Sequence, residues 1–440
     1  MTRVTGKSTA LTGSANTARM RTGNAALRKS GKGTARKAGT GTGNNTRPTL
    51  TREDMDNSVR IRHAGSFDYT FLFLTLFFFI FGLVMITSIS AYNATKYYDD
   101  AFLFVKNQAL YGAIGIFAMV IMGIYIPRIN YKLILKKTRI PFLKKKVPIL
   151  ISAGYIICLI LQWSVLVVGH SNNGSSRWFN IGSVRFQPSE LTKLYIIILA
   201  AYLAQKNPKK LSNILVMSVN LLVTLPLIIP VAKENLSTAI IMIAIVIGIF
   251  WVVSRKQLPV FGIGILAAIG GVIMIKSTSY RSSRIDKWLN VETSADAYQI
   301  LQGLYALVSG GFFGKGLGNS VQKLGYIPEV HTDMIFSCIV EELGIFGAIM
   351  LLALYAVLLS RILKISMHAG NLFGSLICVG VFIQLAVQVI FNIAVVTNTI
   401  PATGVTLPLV SYGGSSLIFT MVGLGLVMNV SRQIPYEEEQ

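Results

Sequence analysis

The chain has 440 residues, of which 52% are hydrophobic and only 13% charged, and its mean hydropathy is +0.59. That balance excludes an ordinary soluble domain and points to an all-α polytopic membrane protein. The formal net charge of +23 would suit nucleic acid, but the basic residues sit in an N-terminal tail and in short loops between apolar runs. No recognition motif accompanies them, so no nucleic-acid partner is expected.

Residues 1–66 are rich in Thr, Gly, Ala, Arg and Lys and nearly free of aromatics. Such a segment cannot bury enough apolar surface to offset the entropy of ordering, and it reads as a disordered basic cytoplasmic tail drawn to an anionic leaflet. The Arg-rich, acid-poor composition also resembles an organelle transit peptide. Residues 67–433 read as the membrane domain and 434–440 as a short acidic tail. Apolar runs near the roughly 20 residues needed to cross a bilayer fall at 69–91, 107–126, 148–169, 189–204, 213–231, 238–253, 258–276, 333–359, 371–396 and 412–430. About ten transmembrane helices are therefore expected, with both termini on one side.

The loop 127–147 carries Arg128, Lys132, Lys136, Lys137, Arg139, Lys144, Lys145 and Lys146, which assigns it to the cytoplasm. Lys206, Lys209 and Lys210, then Arg255 and Lys256, then Arg361 and Lys364, and finally Arg432 fall on that same side by alternation. The outer face then holds 92–106, 170–188, 232–237, 397–411 and a large extracytoplasmic loop, 277–332, between helices 7 and 8. Cys158, Cys338 and Cys378 lie inside apolar spans and read as buried hydrophobes. His63, His170, His331 and His368 are scattered and form no metal-ligand cluster.

The longest polar interruption, Tyr280 to Asp333, collects Arg281, Arg284, Asp286, Lys287, Glu292, Asp296, Lys315, Lys323, Glu329, His331 and Asp333. Its glycine run, Gly310, Gly311, Gly314, Gly316 and Gly318, lacks the Gly-Lys-Ser/Thr ending of a nucleotide loop, leaving close backbone approach to a lipid-linked phosphate or simple tight turns. Glu341 and Glu342 stand about 14 Å into a helix. A cavity, a basic partner or a helix clamp would each account for them. Gln384, Gln388 and Asn392 recur every fourth residue as a polar stripe that either joins helices or lines a substrate path. The segment 171–193 mixes Arg177, Trp178, Arg185, Gln187, Glu190 and Lys193 with turn formers. Lys233 stands at the helix entrance KENLSTA, whose amides could receive an anion. Ser411 and Ser415 belong to a Gly and hydroxyl loop that is tolerated at membrane depth only where it lines a cavity or packs on protein.

Three of these segments, RWFNIGSVRFQPSELTK, YQILQGLYALVSGGFFGKGLGNSVQKLGYIPEVHTDMIFSCIVEELG and PATGVTLPLVSYGGSSL, together resemble the SEDS (shape, elongation, division and sporulation) family over residues about 68 to 433. These are polytopic bacterial glycosyltransferases that polymerise lipid II into peptidoglycan. The chain looks more like the division branch than the elongation branch, with a sporulation homologue also open. The family usually carries Asn-Pro followed shortly by a catalytic Asp ahead of Gly-Tyr-Gln. Counting back from Tyr298-Gln299 places Glu292 at that position, with Asp296 as the fallback. A second departure is Asn235, where the family tends to have an acid.

The resemblance implies that Glu292 deprotonates the acceptor 4-hydroxyl while cations receive the leaving undecaprenyl pyrophosphate. The substrate-binding candidates are Arg177, Arg185, Glu190, Lys193, Lys233, Arg281, Arg284, Lys323, His331, Glu341, Ser411 and Ser415. No ligand spacing demands a cofactor, and a divalent cation, Mg or Mn, is left open. The implied partners are lipid II, a class B penicillin-binding protein transpeptidase, other divisome proteins and the membrane itself. The implied location is the bacterial cytoplasmic membrane at the division septum. A lipid II flippase and a non-catalytic divisome scaffold are the rival readings.

Overall fold

The computed structural model describes residues 68–125, 137–139, 146–172, 175–181, 184–276, 279–294 and 297–434. The N-terminal tail, most of the loop 127–147, Asp296 and nearly all of the acidic C-terminal tail lie outside the described residues.

The helices expected to cross the membrane are α1 (Tyr69–Tyr98), α2 (Leu103–Val120), α3 (Ile149–Val168), α4 (Pro188–Lys206), α5 (Ile214–Glu234), α6 (Leu236–Val253), α7 (Leu258–Lys276), α10 (Ile335–Met367), α11 (Leu372–Val396) and α12 (Gly414–Ser431). Among the described residues, nine are long and apolar enough to span a bilayer. The tenth, α4, has 19 residues and carries Glu190 and Lys193 in its first two turns. The large outer loop contributes two shorter helices, α8 (Ser279–Leu289) and α9 (Tyr298–Ser309). Side-chain caps fix several starts. Asp68 Oδ1 accepts from Phe71 N at 2.9 Å, Asn213 Oδ1 from Leu215 N at 2.9 Å and Asn371 Oδ1 from Gly374 N at 2.7 Å.

Burial orders the bundle. The apolar window of α12 is 78% buried and that of α11 61%, whereas α7 is only 11% buried. The first two are therefore central and α7 is peripheral. Gly425 lets α12 pack closely on α2, since a Cβ there would meet the Met119 carbonyl oxygen at 2.7 Å. A π turn (Ile121–Tyr125) ends α2. Asn429 Nδ2 bonds the Met122 carbonyl at 2.8 Å, and Arg432 reaches the Ile124 carbonyl at 3.1 Å.

The loops segregate into two sets. Segments assigned to the outer face meet one another: Arg177 Nε donates to the Glu234 carbonyl, Arg284 Nη1 to Ala402 O, Trp288 Nε1 to Asn398 O and Tyr412 N to His331 O. Segments assigned to the cytoplasm also meet their own kind: Arg255 N donates to Ser212 Oγ, and Arg361 lies 3.9 Å from Asp68. No pairing among these joins the two sets.

Two expectations change. Helix α1 runs to Tyr98, past the predicted end at 91, so the outer loop 92–106 shrinks to four residues before α2. At 1.5 Å per residue its 30 residues span about 45 Å, more than the roughly 30 Å of hydrocarbon. The polar last turns therefore stand clear of the apolar layer. The segment after α3, read as a loop, forms a three-stranded antiparallel sheet of β3 (His170–Asn172), β4 (Ser175–Ile181) and β5 (Val184–Phe186), counted after a short ribbon of β1 (Lys137–Arg139) and β2 (Lys146–Pro148). Phe179 pairs with Phe186 and Asn180 with Arg185.

Candidate active site

Helix α10 is broken at Gly344, where φ is 73° and ψ −178°. In an unbroken helix the Glu341 and Glu342 carbonyls would accept from the amides of 345 and 346. Here they accept from Lys315 N at 3.0 Å and Gly316 N at 2.9 Å, while Ile345 N and Phe346 N donate to the Gly311 and Phe312 carbonyls at 3.0 Å each. The glycine run thus inserts its backbone into the helix and takes over both interrupted bonds. A Cβ on Gly314 would stand 2.2 Å from the Glu342 carbonyl oxygen, and one on Gly344 2.3 Å from that of Phe312. Both glycines also have positive φ. The run makes tight turns, with positive φ at Gly311, Gly314, Gly316 and Gly318, and the close backbone approach in the structure is to α10, a target the sequence did not suggest.

The insertion organises two buried acids. The Glu341 carboxylate, 0% exposed, accepts from Lys315 Nζ at 2.7 Å, Ser309 Oγ at 3.1 Å, Val321 N at 3.2 Å and Gln322 N at 3.3 Å, and also from Ser320 Oγ. Glu342, also 0% exposed, accepts from Lys323 Nζ at 3.0 Å and from Ser88 Oγ of α1 at 2.7 Å. Lys323 Nζ further donates to the Gly318 carbonyl at 2.6 Å. Glu341 and Lys323, expected to touch substrate, are therefore committed to bonds inside the protein, and the basic partners left open by the sequence are Lys315 and Lys323.

A second cluster lies where the outer loops meet. The turn bearing Glu292 follows α8 directly, with Ser294 N donating to the Asn290 carbonyl at 3.0 Å, and Val291 and Ala297 buried beneath it. Glu292 itself is exposed. The preceding helix is tied to the loop after α11 twice, by Trp288 Nε1 to the Asn398 carbonyl at 2.8 Å and by Arg284 Nη1 to the Ala402 carbonyl at 2.9 Å. Asn392 of α11, 0% exposed, donates through Nδ2 to the carbonyls of both Asp333 and Val405 at 2.8 Å each. This end of the polar stripe therefore joins two outer loops. Asp333 Oδ2 lies 3.8 Å from where a Cβ on Gly404 would stand. Burial raises its carboxyl above the usual range, and the nearby Arg284 charge partly opposes that rise.

His331 is wedged between Phe104, at 4.2 Å between centroids, and Tyr412, at 5.3 Å. Burial pushes its imidazole down to about 4, so it is neutral at pH 7 and offers no cation to a pyrophosphate. Ser411 Oγ is used within its own turn, accepting from Leu407 N at 2.8 Å, and Gln108 clamps the same turn through Ser411 O and Gly413 N. Ser415 is buried.

The third cluster surrounds the sheet. Glu190 and Lys193 form an i,i+3 ion pair at 2.9 Å with side chains 8% and 2% exposed, so each neutralises the other inside the bundle. Arg177 joins Gln162, Gln187, Ser189, Glu234 and Asn235 around a small pocket that Val165, Pro230 and Val231 also line. Arg185 and Lys233 are exposed. Arg281 lies in α8, but its side chain is outside the described residues, as is Asp296. The structure thus gathers Arg284, Asp333 and the loop 398–404 beside the Glu292 turn. Asp333, flagged by sequence only as one of many ionisable groups, is the residue whose place was missed. An apolar groove of about 450 Å³ lies elsewhere, between α1 and residues Leu317 and Leu343, and is lined for hydrocarbon.

Comparison with known proteins identifies the family and the fold. The profile of the FtsW, RodA and SpoVE family, described as a cell cycle protein, matches residues 69–436. Stage V sporulation protein E of Bacillus subtilis (strain 168) is 36% identical over 84% of this chain and 98% of its own length. A probable peptidoglycan glycosyltransferase FtsW of Geobacter sp. (strain M18) is 32% identical over 85% and 99%. Among solved structures, a chain of a peptidoglycan synthase complex that coordinates polymerisation and crosslinking superposes with a TM-score of 0.68 at 26% identity, over 84% of this chain and 99% of its own. The rod shape determining protein RodA of Thermus thermophilus superposes with a TM-score of 0.60 at 25% identity, again over 84% and 99%.

Proposed function

The chain belongs to the FtsW, RodA and SpoVE family of membrane proteins, and on that premise we infer that it is a peptidoglycan glycosyltransferase that polymerises lipid II. The observation that supports this reading best is the exposed carboxylate of Glu292 on a turn whose supporting helix, α8, is pinned by Arg284 and Trp288 to the loop 398–402.

Glu292 acts as general base. It takes the proton of the acceptor GlcNAc 4-hydroxyl as that oxygen bonds to the anomeric carbon of the donor MurNAc. The bond from that carbon to the phosphate oxygen breaks, and undecaprenyl pyrophosphate departs with the bonding pair. Arg284, with Lys233, Arg177 and Arg281 as the other candidates, balances the developing phosphate charge, for which a planar guanidinium is well suited. Among the described residues no three His, Cys, Asp or Glu side chains converge as metal ligands. No step here depends on a divalent cation.

The proposed partner is a single-pass class B penicillin-binding protein that crosslinks the new strand, in the bacterial cytoplasmic membrane at the septum or at a forming spore. The test is purified full-length protein, with its cognate transpeptidase, given lipid II in detergent or vesicles. Glycan strands are expected. Transbilayer movement of lipid II without polymer would establish a flippase instead, and neither activity would leave a scaffold.

A further inference from the structure

Around the Glu292 turn, one short loop runs between Arg284 and Asp333. Arg284 Nη1 bonds the Ala402 carbonyl at 2.9 Å, and two residues on comes Gly404, with φ +68°, where a Cβ would stand 3.8 Å from Asp333 Oδ2. Thr332 Oγ1 donates to Asp333 Oδ1 at 3.2 Å. Asn392 fixes the backbone on both sides of the contact by bonding the Asp333 and Val405 carbonyls at 2.8 Å each. The loop therefore cannot shift against Asp333 without breaking Asn392, nor against α8 without breaking Arg284 or Trp288.

Resting on the glycosyltransferase reading, we propose that Asp333 is a positioning residue for Arg284, its carboxylate and the 402–404 turn together holding the guanidinium where the leaving pyrophosphate develops charge. A carboxylate across the turn restrains a flexible cation before substrate arrives, and a preorganised cation stabilises a transition state better than one that must reorganise. The Arg284 charge acts on Asp333 against the upward shift that burial imposes on its carboxyl. The Asp333 side chain reaches the site from the start of α10, the helix already locked to the glycine run, so its position is inherited from a rigid element. The role belongs to Asp333 and not to Glu341 or Glu342, whose carboxylates are fully enclosed by donors of their own.

The test is a double-mutant cycle on lipid II polymerisation by the full chain with its transpeptidase. Arg284→Ala is expected to lower kcat by about 100-fold, the scale of losing one preorganised charge-stabilising group. Asp333→Asn should lower kcat by about tenfold with a smaller change in KM, and in the Arg284→Ala background it should add less than about twofold, because its role passes through Arg284. Asp333→Glu should recover part of the loss. Independent, multiplying losses would overturn the assignment, as would a wild-type rate in Asp333→Asn. If Asp333→Asn does not fold, Asp333→Ser, which also removes the charge, gives the same readout in both backgrounds. An inactive wild type would sink the glycosyltransferase reading itself, whereas an active wild type with multiplying losses would sink only the role of Asp333.

Discussion

The buried pair of Lys323 and Glu342 offers the sharpest test of how the outer loop is held. Lys323 Nζ lies 3.0 Å from Glu342, whose side chain is 0% exposed, and also satisfies the Gly318 carbonyl. Substituting Lys323→Met keeps the apolar stem and removes the charge, leaving Glu342 with Ser88 alone. Stranding one member of a buried pair costs about 3–5 kcal/mol. At about 2 °C per kcal/mol for a large domain, the midpoint of thermal unfolding should fall by about 6–10 °C. Adding Glu342→Gln should restore most of that loss, since the uncompensated charge is gone and the amide still bonds Ser88. The assay is thermal unfolding of the full chain in one detergent at one scan rate, because unfolding of such a protein is expected to be irreversible. The reasoning is refuted if Lys323→Met melts with wild type, or if the double variant is no more stable than the single one.

Other substitutions probe separate joints. Gly344→Ala should sharply reduce folded, monodisperse protein on size-exclusion chromatography. Its positive φ alone costs a residue with a Cβ about 1–3 kcal/mol, and that Cβ would also collide with the Phe312 carbonyl. Asn392→Leu strands the buried Val405 carbonyl at about 1–3 kcal/mol and frees the half-buried Asp333 carbonyl, so both melting temperature and polymerisation rate should drop. His331 is held neutral in the folded chain, with its pKa lowered by burial from 6.5 to about 4. The unfolded chain therefore binds a proton in that interval while the folded chain does not, and stability is complete above 6.5 and declines as pH falls toward 4. His331→Phe should flatten this part of the profile in melts recorded from pH 7 to pH 4.

Most of the architecture was legible because hydropathy and positive charge are one-dimensional signals. Even α4, interrupted by Glu190 and Lys193, was found, and its charges cancel as a buried pair one helical turn apart. The site was less legible, because its partners are distant in sequence. Ser88 and Glu342 are 254 positions apart and Arg284 and Ala402 118, and no local pattern announces such contacts. The glycine run was recognisable as a place of close approach, but its target, the interrupted backbone of α10, depends on a break at Gly344 that looks in sequence like any glycine in an apolar helix. Asp333 was hidden for the same reason, since its neighbours come from α8, α11 and the loop after it. The sheet at 170–186 was masked by its turn formers.

The central claim is that Glu292 removes the acceptor proton, and lipid II polymerisation by Glu292→Ala protein with its transpeptidase tests it most directly. The account predicts that glycan product is lost by at least about 100-fold, the lower end of the scale for removing one general base, while the melting temperature stays at the wild-type value because the side chain is exposed. Glycan formed at the wild-type rate would contradict it.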